Sequence, residues 1–439
     1  MRRTKLMILL MAGFVPILAI LTPADLAFAA AQEQVLYSFH SNGDGAWPYA
    51  GIIFRGSGKM YGTTVVGGAY GYGAVFQLTL ARDSGKTTEK VLHSFKNDGQ
   101  DGYWPYGGLI ASDKGKLYGT TSRGGRYDQG TVFELVPGPV GEWTERVLYD
   151  FAGGNDGATP DDSLILDSTG NLYGTTYEGG GSGCQGIGCG IVFKLTPGAN
   201  NQWTEGILHI FQDDGQDGFH PYAGLVSDAA GNLYGATVYG PQFDYGNYYY
   251  GAGIVFQLTP GANGSWGETI LYAFCALTGC ADGNNPYAGL IFDAAGNLYG
   301  TTWYGGNETG GGSQGTVFQL APGAGGHWSE KVLYAFCPVL GCADGANPEA
   351  GLVFDSAGNL YGTTSQAGAL GCGGLGCGTV FQLAPGTNGT WTQRLLFSFA
   401  GENGGVPYGP LVFSSAGDLY GTTTGGGLYG NGVVFKITP

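Results

Sequence analysis

Eight cysteines stand in four C-x4-C pairs: Cys184 with Cys189, Cys275 with Cys280, Cys337 with Cys342, and Cys372 with Cys377. An even count at one short spacing offers two chemistries, thiolate ligation of a metal or disulfides that each pin their own loop. Zinc would need two neighbouring pairs to pool four thiolates, and the spacing differs from the usual C-x2-C. Local disulfides are therefore the expectation in an exported chain.

Oxygen ligands are offered by NDGQDG (97–102) and DDGQDG (213–218), where Asp98, Asp101, Asp213, Asp214 and Asp217 could serve calcium. Asp-Gly is equally an ordinary turn former, and no Glu follows at a fixed offset. No other cofactor is expected. Nucleophilic catalysis would need a His beside a Ser or Cys, and the chain has His40, His93, His209, His220 and His327. Of these, His93 and His209 occupy the Tyr position of a recurring V-L-Y-x-F segment and read as structural. No G-x-x-x-x-G-K phosphate loop is present, and no catalytic residue is assigned.

A third pattern favours binding over catalysis. A recurrent Pro is followed by Tyr49, Tyr106, Tyr222, Tyr287 and Tyr408, and in two places by Asp161 and Glu349. Trp47, Trp104 and His220 lie close by in sequence, and a WYGG motif contributes Trp303 and Tyr304. Aromatic rings stack on sugar faces while carboxylates accept hydrogen bonds from hydroxyls. The candidate ligand-binding set is Tyr49, Trp104, Tyr106, Asp161, His220, Tyr222, Tyr287, Trp303, Tyr304, Glu349 and Tyr408. The competing reading has these tyrosines wedging neighbouring elements together.

The elements that must position these residues repeat. A Tyr-Gly phrase, DAAGNLYGTT at 293–302 and its relatives, places its glycine at Gly62, Gly119, Gly174, Gly235, Gly300, Gly362 and Gly421. Each copy is preceded by a short apolar run such as GLIFD, and followed by a G-x-V-F segment and then V-L-Y-x-F. Such runs, rich in β-branched and aromatic residues and bounded by Gly, Asn, Asp and Pro, read as strands. Four strands in each of seven units predict an all-β, seven-bladed propeller of four-stranded antiparallel blades. The first strand, VLYSF at 35–39, lacks its predecessors and the last, GVVFKITP at 432–439, lacks its successor. Pairing them closes the ring and removes two exposed edges. The expected blades are 51–95, 108–151, 163–211, 224–274, 289–336, 351–399, and 410–437 with 34–39.

Within the phrase, Asp293 can bond backbone two residues on and Gly296 can take a positive φ, which makes a hairpin turn. Strand alternation then puts the loops between strands two and three on the same face as those between four and one. That face holds the cysteines, WYGG and the insertion YGPQFDYGNYYYGAG (239–253). The other carries the D-x-x-G-N turns and tryptophans Trp143, Trp203, Trp266, Trp328 and Trp391, read as packing plugs between blades.

The phrase PYAGLIFDAAGNLY resembles the P-x-G-I-A-V-D-x-x-G-N-I-Y pattern of NHL and gluconolactonase-type propellers, which implies that the strand before the turn is innermost. More closely, the L-Y-G-T-T-x-x-G-G and G-T-V-F-x-L units resemble the GloVer (Gloeo-Verruco) repeat family of secreted bacterial proteins. In that family the repeats often precede an anchoring tail, whereas this sequence ends at Pro439 directly after a strand. Free secretion or periplasmic residence is thus expected over covalent anchoring.

The remaining expectations are compositional. Residues 1–29 join a basic start, an apolar middle and Ala27-Phe28-Ala29, the pattern of a cleaved secretory signal. No later apolar run is long enough to span a membrane. A net charge of −16 argues against nucleic acid, which needs clustered Lys and Arg. With 87 Gly, 28 Tyr and 23 Phe but only 12% charged residues, the chain suits a turn-rich β protein. The expected role is a secreted, monomeric, non-catalytic module that binds carbohydrate or a cell-surface protein. A metal-dependent sugar lactonase or lyase at the channel mouth, and a purely structural envelope or matrix protein, are the alternatives.

Overall fold

In each repeat the apolar and β-branched runs pair as the alternation requires. Blade 5 is typical: Ile291–Phe292, Leu298–Thr302, Thr316–Pro322 and Trp328–Ala335 form one antiparallel meander in chain order. Seven such four-stranded sheets are present in the computed structural model. The seventh joins Val412–Phe413, Leu419–Thr423 and Val433–Thr438 to the N-terminal strand Gln32–Ser38, which closes the ring. The structure describes residues 31–439 except 42, 57, 82–86, 242–251, 307–313, 339–340, 369–371 and 373–375. The signal-like segment and most of the 239–253 insertion lie outside the described residues.

Packing between blades explains the repeated phrases. The Phe ending V-L-Y-x-F meets the Phe of G-x-V-F in the next blade edge to face, as Phe274 meets Phe318 with ring centres 5.0 Å apart. The same contact recurs at all seven junctions, with Phe39 and Phe76 completing the circle. The Tyr-Gly glycine makes room for this ring: a Cβ on Gly300 would lie 2.6 Å from Phe318 Cζ. Farther out, the tryptophans pack on the Tyr of the preceding blade's phrase, as Trp328 does on Tyr234 and Trp391 on Tyr299. These are the interblade plugs.

The D-x-x-G-N turn is wired through one carboxylate. Asp293 Oδ1 accepts from the Ala295 and Asn297 amides, and Oδ2 from Asn297 Nδ2 and the Tyr299 hydroxyl. Gly296 sits at φ +85° with open space beside it. The repeated phrase is structural, and its aspartate is consumed by the turn.

At the outer edge of each junction, three positions recur. In five of the seven, a Tyr or His of the outer strand and the Asp of the following loop face a Glu from the next blade's outer strand; Gln393 takes the Glu place beside Tyr334, and Phe397 and Asn403 take the other two places in the last junction. In one junction the Tyr272 hydroxyl donates to Asp282 Oδ2 at 2.8 Å, and Asp282 faces Glu330. Burial, with the aspartate's charge, raises Glu330 to about 8, and burial raises Glu205 to about 7 in the equivalent Tyr149–Asp156 junction. His93 and His209 fill the Tyr position in two junctions, each hydrogen-bonded to its loop aspartate. They are part of the blade interface, away from the channel.

Candidate ligand site at the channel mouth

The channel mouth is assembled from seven copies of one backbone device. The residue before each recurrent Pro lies in the left-handed region: Trp47, Trp104, Thr159, His220, Asn285, Asn347 and Val406 all have φ between 56° and 59°. A residue before proline is already excluded from much of the helical region, so this conformation has to be held from outside. Two backbone hydrogen bonds hold it. For Asn347 the amide donates to Gln314 O of the preceding blade at 2.7 Å, and its carbonyl accepts from Ser365 N of the following one at 3.0 Å. The Pro itself packs on the G-x-V-F glycine of the preceding blade, where a Cβ on Gly315 would meet Pro348 Cδ at 2.6 Å.

Antiparallel bridges complete this crown. The loop entering each blade pairs with the loop between strands two and three, from Ala46 with Val66 through Tyr103 with Arg123 to Gly405 with Gly425. The two loop types therefore share a face, as the strand alternation requires. On it the four cysteine pairs close as disulfides within their own loops, with Cα separations of 4.0–5.3 Å, and no cysteine is free. A four-thiolate zinc site is thereby removed from consideration.

So fixed, the residues after the prolines converge. Tyr49, Tyr106, Asp161, Tyr222, Tyr287, Glu349 and Tyr408 all line one cavity of about 250 Å³ together with residues of the innermost strands such as Ile165, Val226 and Ile291. Tyr222 reaches across to donate its hydroxyl to the Tyr49 hydroxyl at 3.2 Å. Tyr49 also stacks on Tyr408 at 4.6 Å and meets Tyr106 edge to face at 5.2 Å. The rings that brace one another also face the cavity. A second hollow of about 320 Å³ adjoins it, lined by Trp47, Tyr49, Val65, Tyr106, Tyr408, Thr424 and Gly425. Trp47 is 50% exposed there.

The acids are held in poorly solvated positions. Burial raises Asp161 to about 7, against the opposing hydrogen bond from Ser122 Oγ. Burial likewise raises Glu349 to about 7, with Ser365 Oγ donating to its Oε1 at 3.2 Å. A third carboxyl lies beside them that residue-by-residue reading misses. Asp162 lines the cavity, accepts from the Gly224 and Ser163 amides, and is raised by burial to about 6. Its signal was available: the other units carry Ala50, Gly107, Ala223, Ala288, Ala350 and Gly409 there. Burial raises the five phenols, so they act as neutral hydrogen-bonding groups.

Four candidates lie outside the cavity lining. His220 is 7% exposed, stacks on Tyr177 at 4.3 Å and donates from Nδ1 to the Tyr177 carbonyl at 2.7 Å. Burial lowers its pKa, so it is a neutral brace. Trp104, 38% exposed, leans on Tyr103 at the rim. Trp303 packs edge-on against Tyr287 at 5.1 Å and lies against Tyr304 at 4.5 Å, its Nε1 buried without a hydrogen-bond partner among the described residues. The calcium candidates are dispersed. Asp98 and Asp214 cap turns, Asp213 accepts from Cys184 N, and Asp101 and Asp217 bond His93 and His209.

Against known proteins, the model of the Gloeobacter/Verrucomicrobia repeat matches residues 83–250 and again 246–439. The chain belongs to that family. No curated protein matches. Among solved structures, this Gloeobacter/Verrucomicrobia repeat protein is similar to a Bacteroides uniformis protein named a putative 6-phosphogluconolactonase, at 15% identity and a TM-score of 0.49, over 83% of this chain and 88% of that one. It is also similar to a Thermus thermophilus protein named a putative oxidoreductase (glucose dehydrogenase), at 15% identity and a TM-score of 0.41, covering 93% and 100%. A Dyadobacter fermentans protein of unknown function aligns at 10% identity and a TM-score of 0.43, covering 93% and 99%. The repeat protein's four disulfides, with no helix among the described residues long and apolar enough to cross a membrane, fit an extracellular protein.

Proposed function

We propose that this chain is an exported binding propeller that takes a carbohydrate at the channel mouth. One observation carries the reading: seven separate loops, each held in a costly left-handed conformation, bring five tyrosines and two acids to a single cavity beside the exposed Trp47. Rings provide apolar sugar faces with stacking partners, while Asp161, Asp162 and Glu349 give hydroxyls acceptors and, when protonated, donors. Export is supported by the signal-like residues 1–29 and by the disulfides.

Glycan-array binding of the purified chain tests this. Retained glycans are expected, and Trp47→Ala and Tyr106→Ala should each weaken them about tenfold, the usual worth of one aromatic contact. An array without any retained glycan, or binding indifferent to both substitutions, sinks the reading. A second reading, acid-base chemistry on the bound sugar, is favoured by the near-neutral Asp161 and Glu349. It requires that labelled array hits be cleaved or opened by the wild type and not by Asp161→Asn.

A further inference from the structure

Two of the seven blade junctions differ from the rest in a chemically pointed way. Where four others pair a phenol with the loop aspartate, these present an imidazole: His93 with Asp101 and Glu145, and His209 with Asp217 and Glu268. A phenol donates a proton to the carboxylate and is satisfied. An imidazole can instead offer a lone pair, which changes the junction from a hydrogen bond into a set of ligands. In both places one nitrogen and two carboxylate oxygens lie within 4.8 Å of one another.

The first set holds a buried donor that is underused. Asp101 is 9% exposed, and its Oδ1 is buried without a hydrogen-bond partner among the described residues. Glu145 Oε1 is likewise buried and unpartnered by hydrogen bonds, as are Glu89, Glu205 and Glu330 Oε1 in the phenol junctions, so the imidazole is what sets these two junctions apart; Glu268 Oε1 stands 3.8 Å from His209 Nε2. Phe95 and Phe211 press edge-on against the two imidazoles at 4.7 Å, which fixes the ring planes. Two carboxylates brought together in such a junction would, when both are ionised, carry a charge of −2 that a divalent cation would cancel. A mixed nitrogen and oxygen set disfavours calcium and magnesium, which take oxygen, and suits zinc and its neighbours.

We propose that His93–Asp101–Glu145 and His209–Asp217–Glu268 are transition-metal sites, best suited to zinc, each clamping two adjacent blades from the outside. In each, the first two ligands come from one blade and its following loop, and the third from the next blade. The ion would therefore oppose separation of those blades. This inference is independent of what the channel mouth binds.

The repeat supplies its own control substitutions. Tyr stands at the His position in four junctions, at Tyr37, Tyr149, Tyr272 and Tyr334, and Gln393 stands at the Glu position in the last of these. His93→Tyr and Glu145→Gln thus install residues the same fold already carries. Full-length protein with intact disulfides would be stripped with chelator, then titrated with Co²⁺ followed by visible absorption, and with Zn²⁺ in competition. Two ions per chain are expected, with zinc displacing cobalt. His93→Tyr and His209→Tyr should each remove one ion, and the double variant both, while the circular dichroism spectrum and the metal-free Tm stay at wild-type values. Zinc should raise Tm in the wild type and leave the double variant unmoved. Failure of the wild type to bind either ion overturns the proposal, as does undiminished stoichiometry in the double variant. Either result would assign the two histidines to ion pairs with their aspartates.

Discussion

At the residue scale, two glycines of one phrase are needed for opposite reasons. Gly296 is needed for its backbone, since at φ +85° a side chain is strained although nothing lies within 4 Å of a new Cβ. Gly300 is needed for its absence of volume, since its new Cβ would enter the Phe318 ring at 2.6 Å and approach Leu290 at 2.9 Å. Gly296→Ala should cost about 1–2 kcal/mol, the left-handed penalty. Gly300→Ala should cost about 1–3 kcal/mol through overpacking. Magnitude alone would not separate the mechanisms, but asparagine does: it tolerates the left-handed region and is larger. Gly296→Asn should recover most of the loss in a denaturant titration, whereas Gly300→Asn should be worse than Gly300→Ala.

At the scale of the element, the crown loop is the unit whose conformation determines the site, and it is not equally well made in every blade. Asn285 and Asn347 suit the left-handed position, and their Nδ2 groups donate to Val238 O at 2.8 Å and Trp303 O at 3.0 Å. Val406 takes the same φ of 59° with a β-branched side chain that disfavours it and cannot donate. Replacing Val406 by Asn should relax that strain and gain a bond to the equivalent carbonyl, that of Ser365. We expect stabilisation of about 1–2 kcal/mol, read as a raised denaturation midpoint with unchanged slope. The strand elements were legible in the sequence because apolar alternation, Tyr-Gly and G-x-V-F each recur seven times. The crown ribbons were not, because each is only one or two pairs long and of mixed residue type, from Ala46 with Val66 to Gly405 with Gly425, with no alternation to mark them. The mouth was half legible. Pro-Tyr pointed to it, while Asp162 is visible only when the repeats are superposed and one Ala/Gly position is found to hold a charge.

Across the whole molecule, the ring's acids divide into two populations set by location, and stability should follow pH accordingly. The turn aspartates are lowered by hydrogen bonds that outweigh burial, Asp167 to about 2, so their contribution is complete above their unfolded range near 4 and is lost as pH falls through about 2. The junction glutamates and the channel acids have the opposite sign. Glu205 is raised to about 7 beside Asp156, and Glu330 to about 8 beside Asp282, to which Tyr272 is hydrogen-bonded. Their folded forms hold protons that the unfolded chain releases near pH 4, so the stability they confer is full below that range and lost as pH rises through 7 to 8. This recurring arrangement was invisible in one dimension, because each Asp–Glu contact joins different repeats and spacing alone does not show which side chains meet. Thermal unfolding should therefore be most resisted at about pH 4 to 5, with Tm declining from there towards pH 8. Glu330→Gln, which copies Gln393, removes one ionisable partner and should raise Tm at pH 8 while leaving it nearly unchanged at pH 5. A Tm that climbs from pH 5 to 8, or a variant whose effect is the same at both, would show that these carboxyls ionise freely at the junctions and that the ring is not strained by their charge.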